Sequence, residues 1–541
     1  MRMERFPGSR KALPGQLRSQ TQPYTFPAPI GGWVTNQSLV KSKPMTAQRL
    51  ENWVPTSTGI RLRGGSAKRA TIGSDPTESF ITYNAGGIKR IWACDASAIY
   101  DVTTPADPDT PPTPAVSGQT SGYYSYVNFT TSGGSFVTAV NGTDEMQLYD
   151  GGTSTWMAVN ASSSPAITGV LTSKLSQVWL YRNRQFFIQG GTMKAHYLGV
   201  DSIGGALGTI NLSGVFQRGG SLLFGATWSL DAGDGIDDKC VFVTTEGEVA
   251  IYEGANPAGS TAAEWNLVGR YDISAPLGHR GTMRAGGDLV ILTREGIVPN
   301  SAAINKDAAA LSLAAISASI EPDWKREATR RNSLPWEIIK WPEKNYAIVS
   351  LPITSDSEEP WQFCINLQTG AWCKFSGWYA RCLEYFNGRV YFGTNDGEVH
   401  EAEIGGIDGE QGIEHVYVGN PDHFKLMGRL KTVTQARATY VSSTPFKDKV
   451  SFSTNYNVEL PTQPDAYASG TSDAWDVGLW DVMLWDQTPP ASATIGGLWR
   501  SIGRTGYVFQ PQVQITSGTA IYPNTELSQL DVMFEAGGVV T

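Results

Sequence analysis

The chain has 541 residues, of which 40% are hydrophobic, 11% aromatic and only 17% charged, with 59 glycines and a net charge of −9. This length exceeds one ordinary core and predicts two to four domains. No run of 18 apolar residues occurs, so no membrane-spanning helix is expected, and the acidic balance argues against tight sequence-specific DNA binding, which depends on neutralising phosphates.

Low charge with abundant Gly, Thr, Ser, Trp and Tyr predicts many short strands and tight turns. Residues 1–26 read as a flexible arm carrying Arg2, Arg5, Arg10, Lys11 and Arg18, broken by Pro7, Pro14 and Pro23. The arm lacks an apolar stretch and is not expected to be a secretory signal. Residues 1–73 hold 12 Lys/Arg against 2 Asp/Glu, a balance of +10, which leaves −19 on the remainder. A basic arm on an acidic body points to docking on an acidic partner surface or to phosphate contact.

The segment 27–73 contains Trp33, Trp53 and a run of cations, Arg61, Arg63, Lys68 and Arg69, among many turn residues. The two tryptophans need burial and the four cations are candidate assembly or docking residues. The motif GGW, followed by LENWVPTSTGIRLRGG, resembles the start of the tail nozzle (tail hub) proteins of short-tailed bacteriophages. Those proteins carry a Gly-Trp segment and then a D-N-W-P-x-x-x-G-x-x-x-R-x-G pattern before the first propeller blade. Here Glu51 stands in place of the Asp, and either carboxylate can accept from turn amides.

From Phe80 the pattern becomes strand, glycine turn, strand. FITYNAGGIKRIWACDASAIYDV alternates around Ala85-Gly86-Gly87 and reads as a hairpin. Three strands follow with turns at Gly133-Gly134 and Asn141-Gly142, then QVWLYRNRQFFIQGGTMKAHYL repeats the theme. The template strand, T-x-x-G, strand appears in Cys240–Gly254, Gly287–Asn300 and Gly388–Glu403. Units of this kind at intervals of about 40 to 50 residues predict an irregular β-propeller over residues 76–405, with a β-sandwich pair as the alternative. The same stretches resemble successive blades of the nozzle family.

Between two of these units, Leu313, Ile316, Ile320 and Trp324 share one helical face, which predicts a helical insertion over about 307–331. Asp307 is a candidate N-cap, and Pro322 is placed to start a second short helix. Residues 405–420 read as a linker. A C-terminal antiparallel β domain is expected over 406–541, and it again resembles the nozzle family. It includes Trp475-Asp476, Trp480-Asp481 and Trp485-Asp486 at a spacing of five, unlike WD40 repeats, which need one such pair per 40-odd residues. Residues 455–541 carry 2 Arg against 9 Asp/Glu, a balance of −7.

No chemistry-bearing motif emerges. The five cysteines lack a CxxC and are expected to be reduced thiols; the five histidines do not cluster. The turn Asp231, Asp234, Asp237, Asp238 fails the EF-hand pattern, because Leu230 stands five before Gly235. There is no G-x-S-x-G, H-E-x-x-H, P-loop, Rossmann fingerprint or sialidase Asp box. No metal, no cofactor and no enzymatic activity are therefore expected. The resemblance implies a structural virion protein made in the host cytoplasm and placed in the tail. It would be a homohexameric channel below the portal and adaptor, contacting tail fibre or tip proteins and conducting genomic DNA. Asp476, Asp481 and Asp486 are candidate channel-lining residues in that reading. The competing readings are a tail fibre or tailspike-like protein that binds or depolymerises polysaccharide, and a propeller interaction scaffold.

Overall fold

The computed structural model describes residues 21–38, 43–229, 238–259, 261, 263–306, 310–355, 358–443, 446–466, 493–518 and 521–539. The described chain is all-β with a few short helices. Seven blades follow one another along residues 66–402 and close into a propeller; five are separate small sheets and two belong to one larger sheet.

Blade I runs from Ser79–Ala85 to Pro114–Ser117, and blade II from Ser125–Thr131 to Thr155–Val159. Blade III runs from Leu175–Tyr181 to Gly208–Asn211, and blade IV from Leu222–Trp228 to Asn266–Asp272. Blade V has three strands among the described residues, Thr282–Arg284, Leu289–Thr293 and Gly296–Pro299. Blade VI runs from Glu337–Trp341 to Trp372–Ser376. Blade VII uses Cys382–Phe386, Arg389–Gly393 and Glu398–Ala402, and takes its fourth strand, Ser66–Thr71, from the N-terminal part of the chain.

This borrowed strand closes the ring. Among the described residues, five of the six apolar clusters lie between neighbouring blades, as radial packing requires. Ile81, Trp92 and Tyr149 join blades I and II, while Leu148, Val178 and Phe187 join II and III. Trp179 and Phe242 join III and IV, and Phe224 and Ile291 join IV and V. Ala70, Phe80, Ile91, Phe386 and Val399 fill the VII–I seam.

The T-x-x-G template has a physical basis in these blades. Thr244 Oγ1 accepts the Glu248 amide at 3.0 Å, and Thr394 Oγ1 accepts the Glu398 amide at 3.1 Å. Thr293 Oγ1 instead donates to the Gly296 carbonyl at 2.8 Å. Gly247 and Gly397 adopt φ of +82° and +71°, the left-handed region that a tight turn demands and glycine tolerates.

The helical insertion differs from expectation. Among the described residues it is not one face but four short pieces: Asn300–Asn305, Leu311–Ala314, a 3₁₀ turn Ala318–Ile320, and Glu321–Arg330. The chain turns extended at Ala315, so the periodicity is interrupted. Ile320 and Trp324 are buried, but Leu313 is 83% exposed. Pro322 does begin the last helix, in its first turn, where a proline costs no hydrogen bond. Asp307 lies outside the described residues.

The expected linker is also different. Residues Gln411–Gly419 form a strand, and the sheet of blade VI continues through it. Trp372–Ser376 pairs in parallel with Ala47–Glu51, which pairs with Gln411–Gly419, then Phe509–Ser517, then Asp448–Thr454. A second C-terminal sheet is built on two long strands, Arg429–Ser442 and Thr525–Val539. Thr21–Pro27 and Ile60–Leu62 lie along one side of that pair, and Ala493–Gly496 and Arg500–Gly506 along the other. Val433, Tyr440, Phe452, Phe509, Leu530 and Phe534 belong to the apolar core of this part of the molecule.

The N-terminal segment is therefore not a separate arm from residue 21 onward. It supplies strands to the C-terminal sheet, to the sheet shared with blade VI, and to blade VII. A division at residue 75 or 405 cuts through hydrogen-bonded sheets. Among the described residues, no helix is long and apolar enough to cross a membrane.

Candidate functional site: the junction of propeller and C-terminal sheets

The sequence motif ENWVPTSTGIRLRGG lies where the propeller meets the C-terminal sheets. Each of its defining residues has a structural task. Asn52 adopts φ +59°, a left-handed position that asparagine tolerates better than bulkier residues. Its side chain donates to Ser376 Oγ at 2.9 Å and to the Glu414 carbonyl at 2.7 Å, and its Oδ1 accepts from Arg63 Nε at 2.7 Å.

The Arg63 side chain is fully buried. Its two terminal nitrogens reach Asp408 Oδ1 at 3.1 Å and Oδ2 at 2.5 Å. It also donates to the carbonyls of Gly64 and Ser376, and its guanidinium lies 5.1 Å from the Trp378 ring centre. Trp378 Nε1 and Ser66 Oγ donate to the same Asp408 carboxylate at 3.2 and 3.1 Å. A buried guanidinium needs such complete satisfaction, because desolvating it otherwise costs several kcal/mol.

Two glycines of the motif permit close approaches. A Cβ on Gly59 would meet the Leu527 carbonyl oxygen at 2.4 Å, and one on Gly65 would meet that of Ile407 at 1.9 Å. Trp53 is fully buried and packs edge-on to His415 with ring centres 6.1 Å apart. His415 Nδ1 bonds the Asn52 carbonyl at 2.8 Å, and burial pushes its pKa down to about 3, so it is neutral.

Arg61 forms a second buried polar group. Its guanidinium bonds the hydroxyls of Tyr346 and Tyr522, and Tyr522 donates to Glu403 Oε2 at 2.5 Å. Glu403 also accepts the Gly64 amide at 3.0 Å. The remaining candidates are peripheral. Lys68 pairs with Asp109 at 2.7 Å and Glu398 at 2.9 Å, and Arg69 donates to the Thr103 carbonyl. Trp33 stacks on Phe363 with ring centres 6.0 Å apart.

The six assembly candidates are thus not brought together on one exposed face. Trp53 and Arg63 are enclosed within the chain, and Arg61 is largely so. Their side chains join this chain to itself rather than presenting a docking surface. Asp476, Asp481 and Asp486 lie outside the described residues, as do Asp231, Asp234 and Asp237. Asp238 is described: its carboxylate accepts from Ser229 and its carbonyl from Tyr181.

A cavity of about 390 Å³ adjoins the junction, lined by Asn52, Asp396, Glu398, His400, Asp408 and Glu414 among others. His400 lies flat on Phe392 and bonds Glu398 at 2.9 Å. Among the described residues, no group of three or more His, Cys, Asp or Glu is arranged to hold a metal ion. All five cysteines are buried free thiols. Burial raises the pKa of Cys94, Cys240, Cys364 and Cys382 above the ordinary thiol value, which disfavours the reactive thiolate. Sequence reasoning missed Asp408, Ser376 and Glu403, the partners of the motif. They lie more than 300 residues away, and no local signal marks them.

No family model matches the chain, and no curated protein does. Among solved structures, 62% of the chain is similar to 99% of the computationally designed Ika8 protein, at 9% identity and a TM-score of 0.33. It is similar over 63% of its length to 99% of the Cps50 (Swd1) β-propeller domain from Myceliophteria thermophila, at 11% identity and a TM-score of 0.38. A third similarity covers 62% of the chain and 40% of the extracellular domain of the hybrid two-component system BT3049 from B. thetaiotaomicron, at 12% identity and a TM-score of 0.38. The propeller assignment rests on the ring of blades in the chain itself.

Proposed function

We propose that this protein is a structural subunit of the tail of a short-tailed bacteriophage, a nozzle that forms a channel below the portal and adaptor. The observation that carries the reading is the resemblance of the N-W-V-P-x-x-x-G-x-x-x-R-x-G motif to that family. Its support is that the motif residues hold a propeller and a C-terminal β unit together around Arg63 and Asp408. A motif with that task has a reason to recur in proteins that share the two-part architecture.

In this reading, a ring of six copies, the number the resemblance implies, surrounds the DNA path. A conduit must not grip its polymer. A net charge of −9 repels phosphates and leaves the DNA mobile, whereas a basic lumen would bind it through counterion release. The protein acts without catalysis; its neighbours are the adaptor, tail fibre or tip proteins, and DNA contacted without regard to sequence. Its place is the virion tail, after assembly in the host cytoplasm.

Antibody labelling of purified virions tests this reading. Label at the tail below the head vertex supports it. Label confined to fibres or spikes, or depolymerisation of host polysaccharide by the purified protein, replaces it with the polysaccharide reading.

A further inference from the structure

The central channel of the propeller holds a polar cluster that the nozzle reading does not use. Arg280 enters it from the segment before the first strand of blade V. Its guanidinium meets two carboxylates from adjacent blades: Glu337 of blade VI at 3.1 Å and Glu384 of blade VII at 3.0 Å. Tyr126 of blade II faces Glu384 from across the channel, and its hydroxyl is 2.8 Å from Thr82 Oγ1 of blade I. Glu337 Oε2 also accepts the Leu383 amide at 3.0 Å. Five blades thus meet through one connected group of side chains.

The charges do not balance. Two carboxylates share one guanidinium, and the next cationic candidate, His279, is held neutral by burial, with its pKa pushed down to about 4. The Cys382 thiol, beside Glu337 and Arg280, is pushed up by burial and contributes no charge. Glu384 keeps 14% of its side-chain surface and Arg280 17%, so solvent protons can reach them although protein surrounds them. A carboxylate pair with one counter-charge in such a place favours holding a proton. Burial, opposed by Arg280 and reinforced by Glu337, raises the Glu384 pKa to about 7, and burial raises that of Glu337 as well.

We propose that Arg280, Glu384 and Glu337 form a proton-operated latch across the central channel. With a proton from solvent on Glu384, the cluster is neutral and ties blades V, VI and VII together. When that proton returns to solvent, one negative charge is left without a partner, Glu337 and Glu384 repel each other, and the VI–VII seam loosens. The folded carboxyl holds its proton more tightly than the unfolded one, so this group stabilises the fold at low pH. The contribution declines as pH rises from about 4.5 to about 7 and is constant above that.

The test is thermal unfolding of the full chain from about pH 5 to about pH 8.5, wild type beside Glu384→Gln. Glutamine keeps the shape and cannot ionise. The wild-type Tm, taken relative to Glu384→Gln, is expected to fall up to about pH 7 and then level off. Tyr126→Phe provides a second arm. It removes the hydroxyl that faces Glu384 and favours its ionised form, so the midpoint of the pH dependence moves upward. Parallel Tm curves for wild type and Glu384→Gln overturn the latch. If Glu384→Gln does not fold, an unmoved midpoint in Tyr126→Phe overturns it.

Discussion

Arg63 and Asp408 stand 345 residues apart in the chain and form a two-pronged ion pair at 2.5 and 3.1 Å, closed on all sides by Asn52, Ser66, Ser376 and Trp378. Asp408 directly follows blade VII, whereas Arg63 lies between a strand of the C-terminal sheet and the strand that closes blade VII. The pair is therefore one point at which the two halves of the molecule are tied, beside the sheet that blade VI shares with the C-terminal strands.

Removing one partner leaves a buried charge alone. Arg63→Met is expected to destabilise the fold by about 3–5 kcal/mol. Lys68→Ala, whose exposed pairs contribute about 0–1 kcal/mol each, is expected to cost far less. Denaturant unfolding of both variants checks the order. An Arg63→Lys variant is not expected to restore stability, because an ammonium cannot match the planar fork.

Glycine positions in the motif give a second comparison. A methyl on Gly65 meets the Ile407 backbone, which cannot yield cheaply, whereas one on Gly87 meets nothing within 4 Å. Gly87→Ala pays only for its φ of +78°, about 1–2 kcal/mol. Gly65→Ala is expected to cost more and to lower expression of soluble protein. A smaller Tm loss for Gly65→Ala than for Gly87→Ala contradicts the described contact.

His415 gives a pH prediction of opposite sign to Glu384. Its folded pKa of about 3 lies below the ordinary value of 6.5, so the unfolded chain binds the extra proton between those limits. Its stabilising contribution is complete above about pH 6.5 and is lost as pH falls toward about 3. Replacing it with phenylalanine, at some cost in hydrogen bonds, should flatten the acid limb of the Tm profile. An unchanged acid limb would show that His415 is protonated without penalty.

The hairpins and the propeller were legible in the sequence because they rest on local rules. Gly86-Gly87 joins two strands with both φ positive, as the sequence suggests, and the T-x-x-G turns recur in blades IV, V and VII. What was not legible is non-local. Nothing near Ser66–Thr71 shows that it pairs with Glu398–Ala402, more than 300 residues later. Nothing near Arg61 or Arg63 shows that Glu403 and Asp408 await them, so their charge read as surface charge. Leu313 misled for another reason: helical spacing continued through Ala315, where the backbone is extended.

Channel charge is a prediction of the proposed function alone. If Asp476, Asp481 and Asp486 face the DNA path, reversing all three to lysine creates phosphate contacts. DNA ejection from such virions should slow, and added salt should relieve the slowing, because screening acts within about 10 Å at 0.1 M. An unchanged rate at low and high salt, with normal assembly, places these acids away from the DNA.

The most direct test of the account is electron microscopy of the purified protein and of virions that contain it. The account predicts closed rings of six subunits around an open channel, and the same ring below the adaptor in the tail. A protein that stays monomeric at every concentration, and that maps in virions to fibres or to no part of the tail, contradicts it.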